Sequence, residues 1–166
     1  MTLFCKIALY INLLLGASAL VAQPLVADEE PTSMAAPSLI GVTILGNPGL
    51  SSSTLNDYLN GVLLNHNTLQ LNVSIGLSWS LQVRATGDLR YQTNSIPVPS
   101  IGVQAISLGS RPEVFLSTTD QTLASGLATS LLSAIMLIRY RTTGGANFLK
   151  PAGAYTTGLV FTYSAL

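Results

Sequence analysis

Side chains that could carry out chemistry are few in this chain, and they are scattered. The single histidine, His66, lies in an asparagine-rich stretch, whereas a metal site needs several ligands that converge on one ion. Four acids fall in the segments that we expect to fold, and no two of them share one strand face: Asp57, Asp88, Glu113 and Asp120. The chain also lacks a G-x-S-x-G nucleophile motif. We therefore expect a protein that is not an enzyme and that uses no metal or cofactor.

Residues 1–19 have the pattern of a Sec-type signal peptide. Lys6 precedes an apolar run over residues 7–15, and the small residues Ala17 and Ala19 follow it. We expect cleavage after Ala19, with Ala22 and Ala27 as alternative positions, and an anchoring or amphipathic helix is the rival interpretation. The run is shorter than a membrane span. The pattern predicts an exported protein, in the periplasm, at the cell surface or outside the cell, with no transmembrane segment after cleavage.

Cysteine content and charge narrow the class further. Cys5 is the only cysteine, and it lies within the expected signal peptide, so the mature chain would have neither a disulfide nor a thiolate metal site. This composition suits a bacterial envelope protein better than a eukaryotic secreted one. Only 8% of the residues are charged and the formal net charge is zero. Because proteins that bind nucleic acids usually carry a basic surface, we do not expect a nucleic-acid partner.

Residues 20–38 have the composition of a flexible leader. Three acids, at positions 28–30, fall among Pro24, Pro31 and Pro37, and proline-rich polar segments are typically extended linkers. One interpretation is a solvated tail. The other is an extension that donates a strand to a neighbouring subunit. Residues 39–166 then form the folded domain.

Apolar residues alternate with polar ones in several segments of this domain, as they do in strands with one buried face. The pattern covers residues 40–44, 69–75, 77–83 and 155–163. Gly76 interrupts it, which predicts either two strands or one bent strand with a glycine bulge. Residues 96–99 are expected at a sheet edge, because Pro97 and Pro99 cannot donate hydrogen bonds to a ladder.

Two segments are ambiguous between helix and strand. For residues 51–67 we favour a strand and a loop over a short helix. For the apolar run over residues 131–138 we favour a strand that is buried on both faces at its start over a buried helix. With these choices the chain is all-β, and the prediction is a single antiparallel β-sandwich of the immunoglobulin or pilin type, with about seven to nine strands after a cleaved signal peptide.

Three segments resemble the WxL-type surface domains of bacteria. They are W-S-L-Q-V at 79–83, L-S-T-T-D-Q at 116–121 and Y-T-T-G-L-V-F-T at 155–162. Phe161 stands where that family has its distal tryptophan. The segment P-A-G-A-Y at 151–155 also resembles pilin-class sandwiches, including the spore-coat-U-like group. Gly153 takes the place of a pilin glycine, whereas Ala165 departs from the penultimate aromatic residue of the chaperone–usher pilins. Together these resemblances imply a bacterial surface or fibre module.

Two functions from different classes are therefore expected. The first is a structural or adhesive subunit of a fibre, a pilus-like assembly or a surface coat, which joins copies of itself or a related subunit by strand addition. Its donor residues would be Ile40, Val42 and Ile44, and its acceptor residues would be Tyr155, Leu159, Phe161 and Tyr163.

The second function is a WxL-like module that binds peptidoglycan or another envelope glycan non-covalently. The candidate glycan contacts are Arg84, Arg139 and Arg141, which fall on the polar sides of their strands. Trp79 could form a sugar-stacking platform, but it shares a strand face with Leu81 and Val83. We therefore expect Trp79 to pack in the core.

Overall fold

The computed structural model describes residues 3–15, 41–108 and 111–165. Within these ranges the chain forms twelve strands and one short helix. The strands are β1 (Leu3–Leu15), β2 (Gly41–Ile44), β3 (Gly49–Ser52), β4 (Leu63–Val73), β5 (Ser78–Ala85), β6 (Leu89–Tyr91), β7 (Asn94–Ile96), β8 (Ile101–Ala105), β9 (Val114–Phe115), β10 (Gln121–Leu127), β11 (Leu132–Thr142) and β12 (Gly153–Ala165). The helix is α1 (Leu55–Asn60), and single 3-10 turns cover Val98–Ser100 and Ala146–Phe148. The expected leader over residues 20–38 and Ile40 lie outside the described residues.

The strands form two sheets. The first has seven strands, in the order β10-β5-β12-β1-β3, with β6 paired to β12 and β7 paired to β6. The second has five strands, in the order β2-β4-β11-β8-β9. The ladders are antiparallel except for the parallel pair β1 and β3. The all-β sandwich that the sequence predicts is confirmed, although more strands form than expected, because β6, β7 and β9 have only two or three residues each.

Alternating apolar side chains from both sheets build one core. In the first sheet the buried row of β5 comprises Trp79, Leu81, Val83 and Ala85. In the second sheet β4 and β11 contribute Leu69, Leu71, Val73, Met136, Ile138 and Tyr140. Because side chains of a strand alternate between its faces, each sheet turns one row inward and one outward. The apolar rows of the two sheets belong to the same buried cluster.

The expectation of a strand and loop over residues 51–67 is wrong in one part, because α1 forms there. Thr54 caps the helix: its hydroxyl accepts from the Asp57 amide at 3.2 Å, and the Asp57 carboxylate accepts from the Thr54 amide at 2.9 Å. This reciprocal pair is a capping box. Gly61 ends the helix with φ at 81°. The T-x-x-D spacing at 54–57 was the sequence signal for this helix.

The structure also decides the two remaining alternatives, at Gly76 and in the apolar run over residues 131–138. Gly76, with φ at 81°, separates β4 from β5, and the two strands lie in different sheets. The apolar run near residue 135 is the strand β11, which lies between β4 and β8 in the second sheet. The expectation that both faces are buried at the start of this strand is wrong. Met136 and Ile138 are fully buried, whereas Leu131 and Ile135 are 67% and 53% exposed, so the run is almost continuously apolar because outward positions also carry apolar side chains. β7 ends at Ile96, at the edge of the first sheet and before Pro97.

Candidate functional site: a groove filled by the N-terminal strand

The most unusual feature of the sandwich is the position of β1. All thirteen residues of β1 pair antiparallel with β12, from Leu3 opposite Ala165 to Leu15 opposite Gly153. On its other side β1 pairs in parallel with β3, from Asn12 opposite Gly49 to Leu15 opposite Ser52. We call the position between β12 and β3 the β12–β3 groove. Its occupant is the segment in which the sequence predicts an export signal.

On one side of the groove lies β12, whose inward side chains belong to the core. Tyr155, Leu159 and Tyr163 are completely buried, and Phe161 is nearly so. In β1, Ile11 is completely buried and lies opposite Thr157. Directly opposite residues of an antiparallel pair share one face of the sheet. Ile11 therefore adds to the same core layer as the inward row of β12.

Contacts at the N-terminal end of β12 explain why the P-A-G-A-Y motif has a glycine and a tyrosine. The hydroxyl of Tyr155 donates to the carbonyl oxygen of Pro151 at 3.0 Å, and its ring centroid lies 5.5 Å from that of Tyr91. A Cβ atom at Gly153 would overlap the Tyr91 ring. Glycine is therefore required at position 153 so that Tyr91 can lie against the backbone of β12.

The occupied groove leaves polar atoms without partners. The hydroxyls of Ser52, Thr162 and Tyr163 are buried and have no hydrogen-bond partner. All three belong to the walls of the groove, where Ser52 lies opposite Leu15, Thr162 opposite Lys6 and Tyr163 opposite Cys5. A buried polar group without a partner costs about 1–3 kcal/mol, and burial raises the pKa of Tyr163. β1 therefore pairs with the backbone of both flanking strands but leaves these three hydroxyls without partners.

The structure places the predicted donor and acceptor residues in different sheets. Val42 and Ile44 belong to β2, which pairs with β4 at the edge of the second sheet. The predicted acceptor residues all lie on β12, which is an interior strand with β5 and β6 on one side and β1 on the other. β12 therefore has an open edge only when β1 is absent.

The structure separates one of the three predicted glycan-contact arginines from the other two, which share one face of a strand. Arg84 lies on β5 in the first sheet, and its Nε is 3.3 Å from Oδ1 of Asp120. Arg139 and Arg141 lie on β11 in the second sheet. Arg139 donates to Oδ1 of Asn65 at 3.3 Å and to Oε1 of Gln104 at 3.3 Å.

Arg141 forms the closest ion pair in the described part of the chain. Its Nε and Nη2 donate to the two carboxylate oxygens of Glu113 at 2.9 and 2.7 Å. Its guanidinium also lies 5.6 Å from the centroid of the Phe115 ring, which is within cation–π range. The hydrogen bonds from Arg141 hold the pKa of Glu113 below its usual value. All three arginines thus have protein partners, and a glycan role for them stays a prediction.

Trp79 packs in the core, as expected. Only 6% of it is exposed, and a Cβ atom at Gly126 would approach the indole at 3.2 Å. The indole therefore lies flat over the backbone of β10. A shallow cavity of about 130 Å³ opens beside it, between Ser78, Ser80 and Ser164. A tryptophan with so little exposed surface offers no platform for stacking a sugar.

The four acids singled out by the sequence have structural partners. Asp57 caps α1, and Asp88 accepts from the backbone amide of Val98 at 3.0 Å. Glu113 and Asp120 are in the ion pairs described above. In the described residues no group of three histidine, cysteine or acidic side chains is placed to hold a metal ion.

His66 also belongs to a structural network. Its Nδ1 lies 3.1 Å from the hydroxyl of Thr68, which is 2.9 Å from the hydroxyl of the buried Tyr140. Burial raises the pKa of Tyr140 far above its ordinary value. The network thus links β4 to β11 within the second sheet.

Comparison with known proteins adds no family to this description. The chain matches no protein-family model, and no curated protein matches it significantly. Among the described residues no helix is long and apolar enough to cross a bilayer. The WxL-like and pilin-like resemblance therefore remains an expectation from the motifs alone.

Proposed function

We propose that this chain is a non-enzymatic, exported bacterial surface protein that serves as a structural or adhesive subunit and assembles by strand addition. One observation carries the proposal: the segment with the pattern of an export signal occupies an interior strand position between β12 and β3. If export removes that segment, the first sheet has a gap where β1 lay.

The gap would expose both backbone and core. β12 would lose its neighbour along thirteen paired positions, and the inward side chains around Thr157 would lose the cover of Ile11. Unpaired amide and carbonyl groups along a strand are a template for an added strand. An extended segment from another subunit would restore both the hydrogen bonds and the core.

The donor would come from a second copy or a related subunit. In this chain the candidate is the segment around Val42 and Ile44, with Ile40 before it. β2 is an edge strand with only four residues, paired to β4 alone. Its release from one copy therefore disturbs fewer backbone hydrogen bonds than the release of an interior strand. The predicted leader over residues 20–38 would give the donor its reach.

The glycan-binding alternative has less support. Its predicted arginines lie in two sheets and have protein partners, and Trp79 is buried. Arg139 and Arg141 share one face of β11, but Arg84 and Trp79 lie in the other sheet. We therefore place strand addition ahead of it.

Light scattering coupled to size-exclusion chromatography tests the proposed assembly. The chain that begins at Leu20 is compared with one that begins at Gly46, which lacks the leader and β2. We expect polymers from the first and monomers from the second, with circular dichroism spectra of folded β protein from both. Folded monomers from both chains would contradict assembly by strand addition.

A further inference from the structure

We propose that residues 3–15 act as a removable plug, which closes the β12–β3 groove in the intact chain until scission within residues 16–40 opens the groove to an added strand. This inference rests on the strand addition proposed above. It adds that strand addition can begin only after the chain is cut. In the intact chain β1 occupies the groove, and after cutting the groove can accept another strand.

The first argument is the way β1 is attached. Between Leu15 and Gly41 the only covalent connection is residues 16–40, which can span about 80 Å when fully extended. A thirteen-residue strand is about 43 Å long, so this connection is long enough for β1 to reach its place beside β12. A tethered segment has an effective concentration in the millimolar range. Free segments of other copies cannot compete with it until the connection is cut.

The second argument is the imperfect fit of β1. The hydroxyls of Ser52, Thr162 and Tyr163, which belong to the two strands that flank the groove, are buried and have no hydrogen-bond partner while β1 fills it. A strand whose groups formed hydrogen bonds with these hydroxyls would bind more tightly. An occupant that leaves these groups unsatisfied is suited to being released after scission.

The third argument is the pairing register of β1 with β12. It predicts which positions of β1 tolerate a charged residue. Ile11 is completely buried opposite Thr157. Its neighbour Asn12 lies opposite Thr156 and Gly49, which are both exposed. A charge at position 11 would therefore enter the core. Because the residues paired with position 12 are exposed, we expect a charge there to be tolerated. These two positions provide a matched pair of variants.

The test uses the full chain, with the recognition sequence of a specific protease in place of residues 28–31. The protein is folded and purified intact and is then cut. The probe is a fluorescent peptide of residues 3–15 with a C-terminal lysine tag for solubility. We expect the cut chain to exchange its own β1 for the probe at least tenfold faster than the intact chain does. The Asn12→Asp peptide should compete within about threefold of the unaltered sequence, and the Ile11→Asp peptide should be at least tenfold weaker.

Three results would overturn the plug. The cut chain could retain β1 without exchange, it could unfold as soon as β1 leaves, or the two variant peptides could compete equally. Light scattering on the same samples tests the proposed function separately. Specific peptide exchange without polymers would support the plug and contradict assembly, whereas equal polymerisation before and after cutting would contradict the plug alone.

Discussion

The two sheets of this sandwich differ in how they are completed. Every strand of the second sheet comes from residues 41–142. The first sheet takes its interior strand β1 from a segment that joins the rest of the domain through residues 16–40, and β1 and β3 form the one parallel pair among the described strands. β1 is distant in sequence from the strands it pairs with, and a single connecting segment holds it to the domain. In our proposal the first sheet is therefore complete only while β1 is bound. The second sheet needs nothing from outside its own residues.

The largest expected effects compare a core isoleucine from each sheet. Ile138 and Ile11 are both completely buried, and truncation of a buried isoleucine to alanine costs about 2–5 kcal/mol. Ile138→Ala should lower the free energy of unfolding by this full amount, because β11 cannot leave the domain. Ile11→Ala should lower the free energy of unfolding by less. Once β1 binds too weakly it dissociates, so the effect cannot exceed the free energy with which β1 binds the rest of the domain. Urea denaturation of the intact variants measures both values.

An equal or larger loss for Ile11→Ala, with cooperative unfolding of the whole domain, would contradict the comparison. It would mean that β1 is as integral to the fold as β11. The same measurement on the cut chain after removal of β1 supplies the control, because only Ile138→Ala can then have an effect.

A glycine substitution tests the packing at the N-terminal end of β12. Gly153→Ala places a methyl group where the Tyr91 ring lies, so we expect a loss of about 1–3 kcal/mol from overpacking. Gly87→Ala is the matched control, because a Cβ atom there meets nothing within 4 Å. Thermal unfolding should separate the two variants. If Gly153→Ala is as stable as Gly87→Ala, Tyr91 does not pack against β12 as described.

Removal of the hydroxyl should have different effects on the free energy of unfolding for two buried tyrosines, one from each sheet. The Tyr140 hydroxyl is hydrogen-bonded to that of Thr68 at 2.9 Å, so Tyr140→Phe should cost about 0.5–1.5 kcal/mol. The Tyr163 hydroxyl is buried without a partner, so Tyr163→Phe should be neutral or stabilising. Denaturant midpoints of the two variants check the sign. A clear loss for Tyr163→Phe would show that its hydroxyl is satisfied in solution.

The smallest effect concerns the pair of Glu113 and Arg141 on the outer side of the second sheet. Because Arg141 holds the pKa of Glu113 below its ordinary value of 4.5, the pair stabilises the fold fully above that value. Its contribution falls as the pH drops through the lowered pKa of the folded state. Both side chains are partly exposed, so the contribution should not exceed about 1 kcal/mol. Glu113→Gln should flatten this part of the pH dependence, and an unchanged profile would contradict the assignment.

Much of the fold could be predicted because its strands keep a period of two. The alternation around Leu81 and around Leu159 predicts strands that the structure contains, and Gly76 marks a true break. The helix α1 was missed because six residues are too few for a helical period, although Thr54 and Asp57 form a capping box. β11 is a strand because β4 and β8 pair with it on both sides, and this pairing is not visible in the local sequence.

The groove could not be predicted, because residues 3–15 fit two patterns at once, that of a signal peptide and that of a half-buried strand. Lys6 and the apolar run indicate a signal peptide. The odd positions from 3 to 15 are all apolar, whereas Asn12 and Lys6 fall on even positions, which is also the pattern of a half-buried strand. Only pairing with β12 and β3, which are far away in sequence, reveals the second role.

Amide hydrogen exchange of β12 tests the central claim, that β1 completes the first sheet from a removable position. Mass spectrometry would follow residues 153–165 in the intact chain and in the cut chain after removal of β1, with β11 as the internal reference. We expect β12 to be strongly protected in the intact chain and to exchange at least tenfold faster without β1, while β11 keeps its protection. Equal protection of β12 in both forms would show that β1 does not pair with it, and the groove would not exist as described.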